Sequence, residues 1–177
     1  MAIIVCSLSL AAEVAREHRP SHAISLLDPG TPFPPLTGMA DERRLRLEIH
    51  DIEHEAEGIC TPSQNHIGAI LDFVRAWDRE APLLVHCFMG ISRSTATAFI
   101  AACAHNPHAP ESAIAAALRE ASPTASPNRR FVALADAAMG REGRMVRAID
   151  AIGRGPPWFE LENVSPFHLP SRFGPAP

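Results

Sequence analysis

Val85-His86-Cys87-Phe88-Met89-Gly90-Ile91-Ser92-Arg93-Ser94-Thr95 is the stretch whose reading decides the fold. Upstream, Pro82-Leu83-Leu84-Val85 is a short apolar run ending in a β-branched residue, which reads as a buried parallel strand. Downstream, Thr95 to His105 is rich in Ala and apolar side chains and holds no Gly or Pro, which reads as a buried helix. The loop between them begins at Cys87 and closes at Arg93.

A strand-to-helix loop sets successive backbone N–H groups around one hollow above a helix N-terminus, and such a nest binds a tetrahedral oxyanion. Gly90 allows a positive φ and close approach to the ligand. Arg93 can grip two phosphate oxygens with its planar fork. Cys87 sits at the floor, where the helix dipole and the arginine favour thiolate over thiol. A thiolate beneath a bound phosphate is a nucleophile aimed at phosphorus.

Cys-x5-Arg alone is a weak signal. His before the Cys, Gly at the third loop position and Ser after the Arg make it specific, and the flanking strand and helix add independent support. With these residues the chain resembles the cysteine-dependent protein tyrosine phosphatases, and Val-His-Cys-x-x-Gly-Ile-Ser-Arg-Ser looks most like their dual-specificity branch. The resemblance runs from about residue 2 to about residue 140. It implies a single α/β domain, with a central, mostly parallel sheet flanked by helices.

Composition agrees with a soluble globular chain. The 177 residues suffice for one domain with its own core, 46% are hydrophobic and 20% charged. A net charge of −4 leaves no general basic field for nucleic acid. All sixteen basic side chains are Arg. Cys6, Cys60, Cys87 and Cys103 show no paired spacing, so no disulfide scaffold is expected, and a reactive thiolate suits a reducing compartment. Met1 to Ala12 lacks a basic leader and is too short to span a bilayer. The expectation is a cytoplasmic protein without a membrane partner, in which the sequon Asn163-Val164-Ser165 is idle.

In chain order, Ala2 to Leu8 reads as a strand, Ala11 to His18 as a short helix stopped by Pro20, and His22 to Leu27 as a second strand; the alternation is that of a parallel α/β sheet. Residues 28 to 40 form a Pro-rich loop, either a stiff connection or a rim of the site with Phe33 as its recognition side chain. In 44 to 49, Leu45, Leu47 and Ile49 share one side of a third strand. It runs into His50-Asp51-Ile52-Glu53-His54-Glu55-Ala56-Glu57. Cleaving a phosphate ester needs a proton for the leaving oxygen, which a carboxyl group can give. Asp51 leaves the carboxyl end of a strand parallel to the one feeding Cys87, and in the resembled family an Asp at this place is the acid; Glu53 and Glu55 are rivals. The same residues also spell His-x-x-Glu-His, a zinc motif that requires a helix, whereas the preceding alternation says strand.

Thr61 reads as a helix cap with Pro62 in the first turn and Gln64 closing a capping box, followed by Ile67, Ile70, Leu71, Val74 and Trp77 as core. Further helices are expected over 111–121, from a Ser126-Pro127 start with Phe131, Leu134, Ala135 and Ala138 inward, and over 145–152. Asn128 is either a polar first-turn residue or, as the resemblance implies, a group orienting substrate or water. The expected division is a phosphatase-like domain over 1–153 and a Pro- and aromatic-rich arm over 154–177, extended and packed on the body.

The resemblance implies hydrolysis of a phosphomonoester through a phosphocysteine on Cys87. Phe88, Met89, Gly90, Ile91, Ser92 and Arg93 bind the substrate phosphate, so phosphate or sulfate should sit in the loop. Asp51 is the acid and base, Ser94 donates to the departing sulfur, and His86 braces the loop and assists the thiolate. No cofactor or metal is expected, because the loop supplies the positive charge. The substrate is a phosphorylated protein or a small phosphomonoester. The loop carries no extra basic residue, which disfavours a phosphoinositide headgroup. The rival reading is a phosphate-binding module without turnover; a zinc hydrolase comes third.

Overall fold

The computed structural model describes residues 1–161 and 164–174. Period-two burial builds the sheet: Ile3, Val5, Ile24, Leu26 and Val85 face one side, and Ile4, Cys6, Ala23 and Leu84 the other. β1 (Ala2–Ser7), β2 (His22–Leu27), β3 (Arg44–Glu48) and β4 (Leu83–Cys87) are parallel to their neighbours. β5 (Phe167–Pro170) joins β1 antiparallel, so the order is β3-β2-β4-β1-β5. This is the α/β architecture with a mostly parallel sheet that the motif implies.

β5 is the element missing from the sequence reading, which has this stretch as an extended arm. Phe167 and Leu169 are buried and His168 and Pro170 exposed, an alternation too short to stand out among prolines. Pro170 is tolerated because β5 is an edge strand. Beyond it, Ser171 Oγ donates to Met1 O at 2.8 Å, and Asn106 binds Ser171 O (3.1 Å) and Phe173 N–H (2.9 Å). Asn163 of the sequon lies outside the described residues.

The two sheet faces are covered unequally. α1 (Ala11–His18) and Leu36 cover the smaller cluster. The other face carries α2 (Gln64–Ala76), α3 (Arg93–His105), α4 (Glu111–Ala121), α5 (Arg129–Ala138) and α6 (Arg144–Ile152). α3 is buried continuously from Arg93 to Cys103, so it needs no polar stripe, and its Ala content lets neighbours approach closely. Arg141, on the α5–α6 connection, ion-pairs with Glu111 of α4 at 2.9 Å and donates to Cys103 O of α3, tying these helices together.

Two helix starts fall later than the sequence suggests. α2 is capped by Ser63, not Thr61, because the His66 ring reaches back to the Ser63 N–H at 3.2 Å and does what Gln64 was expected to do. α5 is capped by Asn128, whose Oδ1 accepts the Phe131 N–H at 3.1 Å, while Ser126 Oγ is taken by Gly155 N–H at 2.9 Å. Ala138, the last residue of α5, is exposed, and Val132 and Asp136 are buried beside Phe131 and Ala135. Asp136 accepts the N–H groups of Gly143 and Met145 at the start of α6. Residues 50–57 are not helical, so His-x-x-Glu-His lacks the geometry its zinc reading needs. The four cysteines are free. No helix among the described residues is long and apolar enough to cross a membrane.

Candidate active site

The carboxyl ends of β2, β3 and β4 open into one cleft of about 630 Å³, whose lining includes Asp28, Asp51, Cys87, Arg93, Asn128 and Arg154. Its floor is the 87–93 loop. Gly90 has φ +80°, and a Cβ there would meet the Cys6 backbone at 2.8 Å, so only glycine fits both the turn and the packing. Three carbonyls of the loop are spoken for: Phe88 O accepts from Leu8 N–H, Ile91 O from Ser126 N–H and Thr95 Oγ1–H, and Ser92 O from Thr95 Oγ1–H. The amides of Phe88, Met89, Ile91, Ser92 and Arg93 find no acceptor among the described residues. They form a ring of donors at the N-terminus of α3, suited to an oxyanion.

Cys87 lies at the base, 1% exposed. Its Sγ lies 3.1 Å from Ser94 Oγ and accepts the Gly90 N–H at 3.3 Å. Arg93 is 3% exposed and anchored through one nitrogen, Nη1, which donates to Asp28 Oδ1 (2.7 Å) and Ile49 O (2.6 Å). Its Nε is buried without a hydrogen-bond partner, 3.8 Å from Asp51 Oδ2. An unpaired buried guanidinium nitrogen is costly unless a ligand completes it, and an oxyanion has the matching acceptor.

Asp51 reaches the same hollow. Ser92 Oγ and Asn128 Nδ2 both donate to its Oδ1, at 2.7 and 2.8 Å, so Oδ2 is the oxygen left to carry a proton. Asn128 therefore does two jobs, capping α5 and orienting Asp51. Of the rival acids, Glu55 pairs with Arg130 at 2.9 Å and is not part of the cleft lining. Glu53 lines the cleft, but Arg129 N–H (3.0 Å) and Arg154 (2.6 Å) hold it. Burial raises its pKa; these two partners outweigh burial and leave the carboxyl below its ordinary value, a poor proton donor.

His86 is fully buried on the α1 face, with Nε2 2.7 Å from Ser25 Oγ. Burial lowers its pKa to about 4, so it is neutral at pH 7. The expected brace is thus a hydrogen bond to β2, and the expected electrostatic help to the thiolate is corrected: a neutral ring adds no positive charge.

Sequence reasoning missed Asp28 and Arg154. Asp28 opened the Pro-rich loop in that reading; its signal was an acid placed immediately past a strand that neighbours the one feeding Cys87. Arg154 carried no local signal, because its contact with Glu53 spans 101 positions. Phe33 is half-buried and does not line the cleft, so the rim reading of its loop holds for Asp28 and not for Phe33.

No family model and no curated protein matches the sequence. Solved structures do. The chain is similar to DUSP15 with a TM-score of 0.60 and 18% identity over 84% of this chain and 88% of that one. Human DUSP28 gives 0.60 and 19% over 80% and 97%, and the Yvh1 phosphatase domain from Chaetomium thermophilum gives 0.56 and 21% over 80% and 92%. The fold is that of the dual-specificity branch of the cysteine-dependent phosphatases.

Proposed function

We propose that this chain hydrolyses phosphomonoesters, a phosphorylated protein side chain being the substrate of choice, through a covalent phosphocysteine. The phosphoryl group sits in the ring of amides from Phe88 to Arg93, with the Arg93 fork on its oxygens. The Cys87 thiolate attacks phosphorus from below; the S–P bond forms as the bond to the leaving oxygen breaks. Asp51 Oδ2 gives that oxygen its proton. Water then attacks phosphorus from the vacated side, Asp51 takes the water's proton, and the sulfur leaves with Ser94 Oγ–H donating to it. Phosphate departs with both groups restored. Asp28 and Ile49 O hold Arg93 square to the phosphate, and Ser92 and Asn128 aim Asp51.

The observation that carries this reading is the gathering of these groups around one cleft. Ser94 Oγ and Gly90 N–H touch the Cys87 sulfur, Arg93 lines the same cleft with its Nε unpartnered, and the Asp51 carboxyl stands 3.8 Å from that Nε. The proposed division is a catalytic domain over 1–153 and an arm over 154–177 that adds β5 to the edge of its sheet and Arg154 to its cleft. A thiolate nucleophile works in a reducing compartment such as the cytoplasm. The test is turnover of p-nitrophenyl phosphate. Cys87→Ser should abolish it, and Asp51→Asn should slow phenyl phosphate, with its poor leaving group, far more than p-nitrophenyl phosphate. Phosphate binding with no turnover at any pH would favour the silent module.

A further inference from the structure

A second cavity, of about 1170 Å³, opens at the other end of the sheet. One wall is α1, the other is the 35–39 segment, and the floor includes Pro20, Ser21 and Ala81, which precede β2 and β4. β2 separates this groove from the cleft, and its six residues span about 20 Å. The 35–39 wall is already built. Leu36 is buried against the sheet, and Arg44 Nη2 donates to Leu36 O at 2.5 Å and to Met39 O.

The arginines of this groove differ from the rest. The chain has sixteen. Only Arg16, Arg19, Arg43 and Arg172 have guanidiniums with no ion pair or hydrogen bond among the described residues. Three of those four, Arg16, Arg19 and Arg43, line this groove, and all three are exposed. Arg19 occupies the left-handed position that closes α1, with φ 47°, where glycine or asparagine is the usual residue. The carboxylate of Glu13 also lines the groove, and Asp41 and Glu42 precede Arg43; Asp41 is taken by Arg46 at 3.0 Å. In a chain of net charge −4, this is a local surplus of unpaired cations on a preformed wall.

We propose that this groove docks an acidic peptide segment of the phosphorylated protein substrate. The inference rests on the phosphatase reading for the word substrate, and on the groove alone for the acidic segment. Three guanidiniums spread along a channel suit several carboxylates on an extended chain, and a wall pinned before binding spares the ordering cost. The separation from Cys87 sets a spacing. An extended chain covers at most about 3.5 Å per residue, so about six residues is the shortest link between the acidic run and the phosphorylated residue.

The test uses the full chain and two probes. A fluorescein-labelled poly-glutamate peptide reports binding by anisotropy. A phosphopeptide joined to a glutamate run through a Gly/Ser linker of about ten residues reports kcat/KM. The variant is Arg16→Gln, Arg19→Asn and Arg43→Gln together, asparagine being chosen to keep the left-handed turn; Arg172→Gln is the control. Wild type should bind the peptide, more weakly as salt rises, and the triple variant should lose about tenfold in binding and in kcat/KM for the tailed substrate. Its turnover of p-nitrophenyl phosphate and its melting temperature should stay unchanged. Equal binding by the triple variant would overturn the proposal. So would an equal loss in Arg172→Gln, a kcat/KM gain that survives a linker of about three residues, or tighter binding of a single-stranded oligonucleotide than of the peptide. Turnover of p-nitrophenyl phosphate with no peptide binding would sink the groove and spare the phosphatase; peptide binding without any turnover would do the reverse.

Discussion

In the 87–93 loop, the Cys87 sulfur is held by Gly90 and Ser94, three and seven positions away, and the turn is closed by Thr95 on Ile91 O, four positions away. In the 50–57 loop, the contacts that aim it come from far along the chain. Ser92 and Asn128 hold Asp51 across 41 and 77 positions, and Arg154 holds Glu53 across 101. The first loop carries its own instructions in sequence and is buried by α3. The second is exposed and is placed by side chains that other elements deliver. The nucleophile's cradle is thus a local, stiff structure, and the acid's perch is a borrowed one, which predicts that the two fail in different ways.

Gly90→Ala attacks the local loop and has the largest effect. A methyl at φ +80° with the Cys6 backbone at 2.8 Å cannot be housed without moving the loop. The variant should lose about 100-fold or more in kcat/KM and about 1–3 kcal/mol of stability. Wild-type kinetics and an unchanged denaturation midpoint would break the claim that the cradle is stiff. Next, Asp28→Asn removes the charge that anchors Arg93 while keeping a hydrogen-bond acceptor. Substrate KM should rise by about tenfold, with a smaller change in kcat. A pure kcat effect would mean that Asp28 serves the chemistry and not the guanidinium.

Arg154→Met probes the borrowed perch. Freeing Glu53 loosens the loop that presents Asp51. The kcat for phenyl phosphate should fall by about three- to tenfold, p-nitrophenyl phosphate should be little affected, and stability should change by under about 1 kcal/mol. Equal slowing of both substrates would place the effect at Cys87 instead. A last effect, on stability and not on turnover, is one of pH. Folded His86 takes a proton only near pH 4, and its unfolded counterpart near 6.5, so between these values the unfolded chain binds more protons and stability falls as pH falls. From pH 6.5 to 5 the loss is about 1.6 kcal/mol. Urea unfolding at the two pH values measures it. His86→Gln, which keeps a partner for Ser25, should remove that slope; an unchanged slope would assign it to other groups.

The same contrast explains what could be read without coordinates. The first four strands, α1 and α4 follow from apolar periodicity and from Pro and Ser stops, all local signals. Cys87, Arg93 and Ser94 are legible because strand, loop and helix are contiguous. Asp51 was legible from the strand end it leaves and from the resemblance, whereas the reason Glu53 is the poorer acid lies in Arg154, which no nearby residue announces. Asp28 was hidden among prolines that suggested only stiffness. β5 was hidden for a similar reason, since its four residues pair with β1 from the opposite end of the chain. Ser63 and Asn128 displaced the expected caps because His66 and the arm's Gly155 N–H decided which oxygen was free.

The most direct test of the central claim is to trap the intermediate. The enzyme is mixed with p-nitrophenyl phosphate, quenched in acid within one turnover and digested, and the peptide spanning Cys87 is weighed. One added phosphoryl group on Cys87, absent from Cys87→Ser and accumulating when Asp51→Asn slows the second step, is the predicted result. Steady turnover with no phosphoryl group on that peptide, or with the group on another residue, would contradict it.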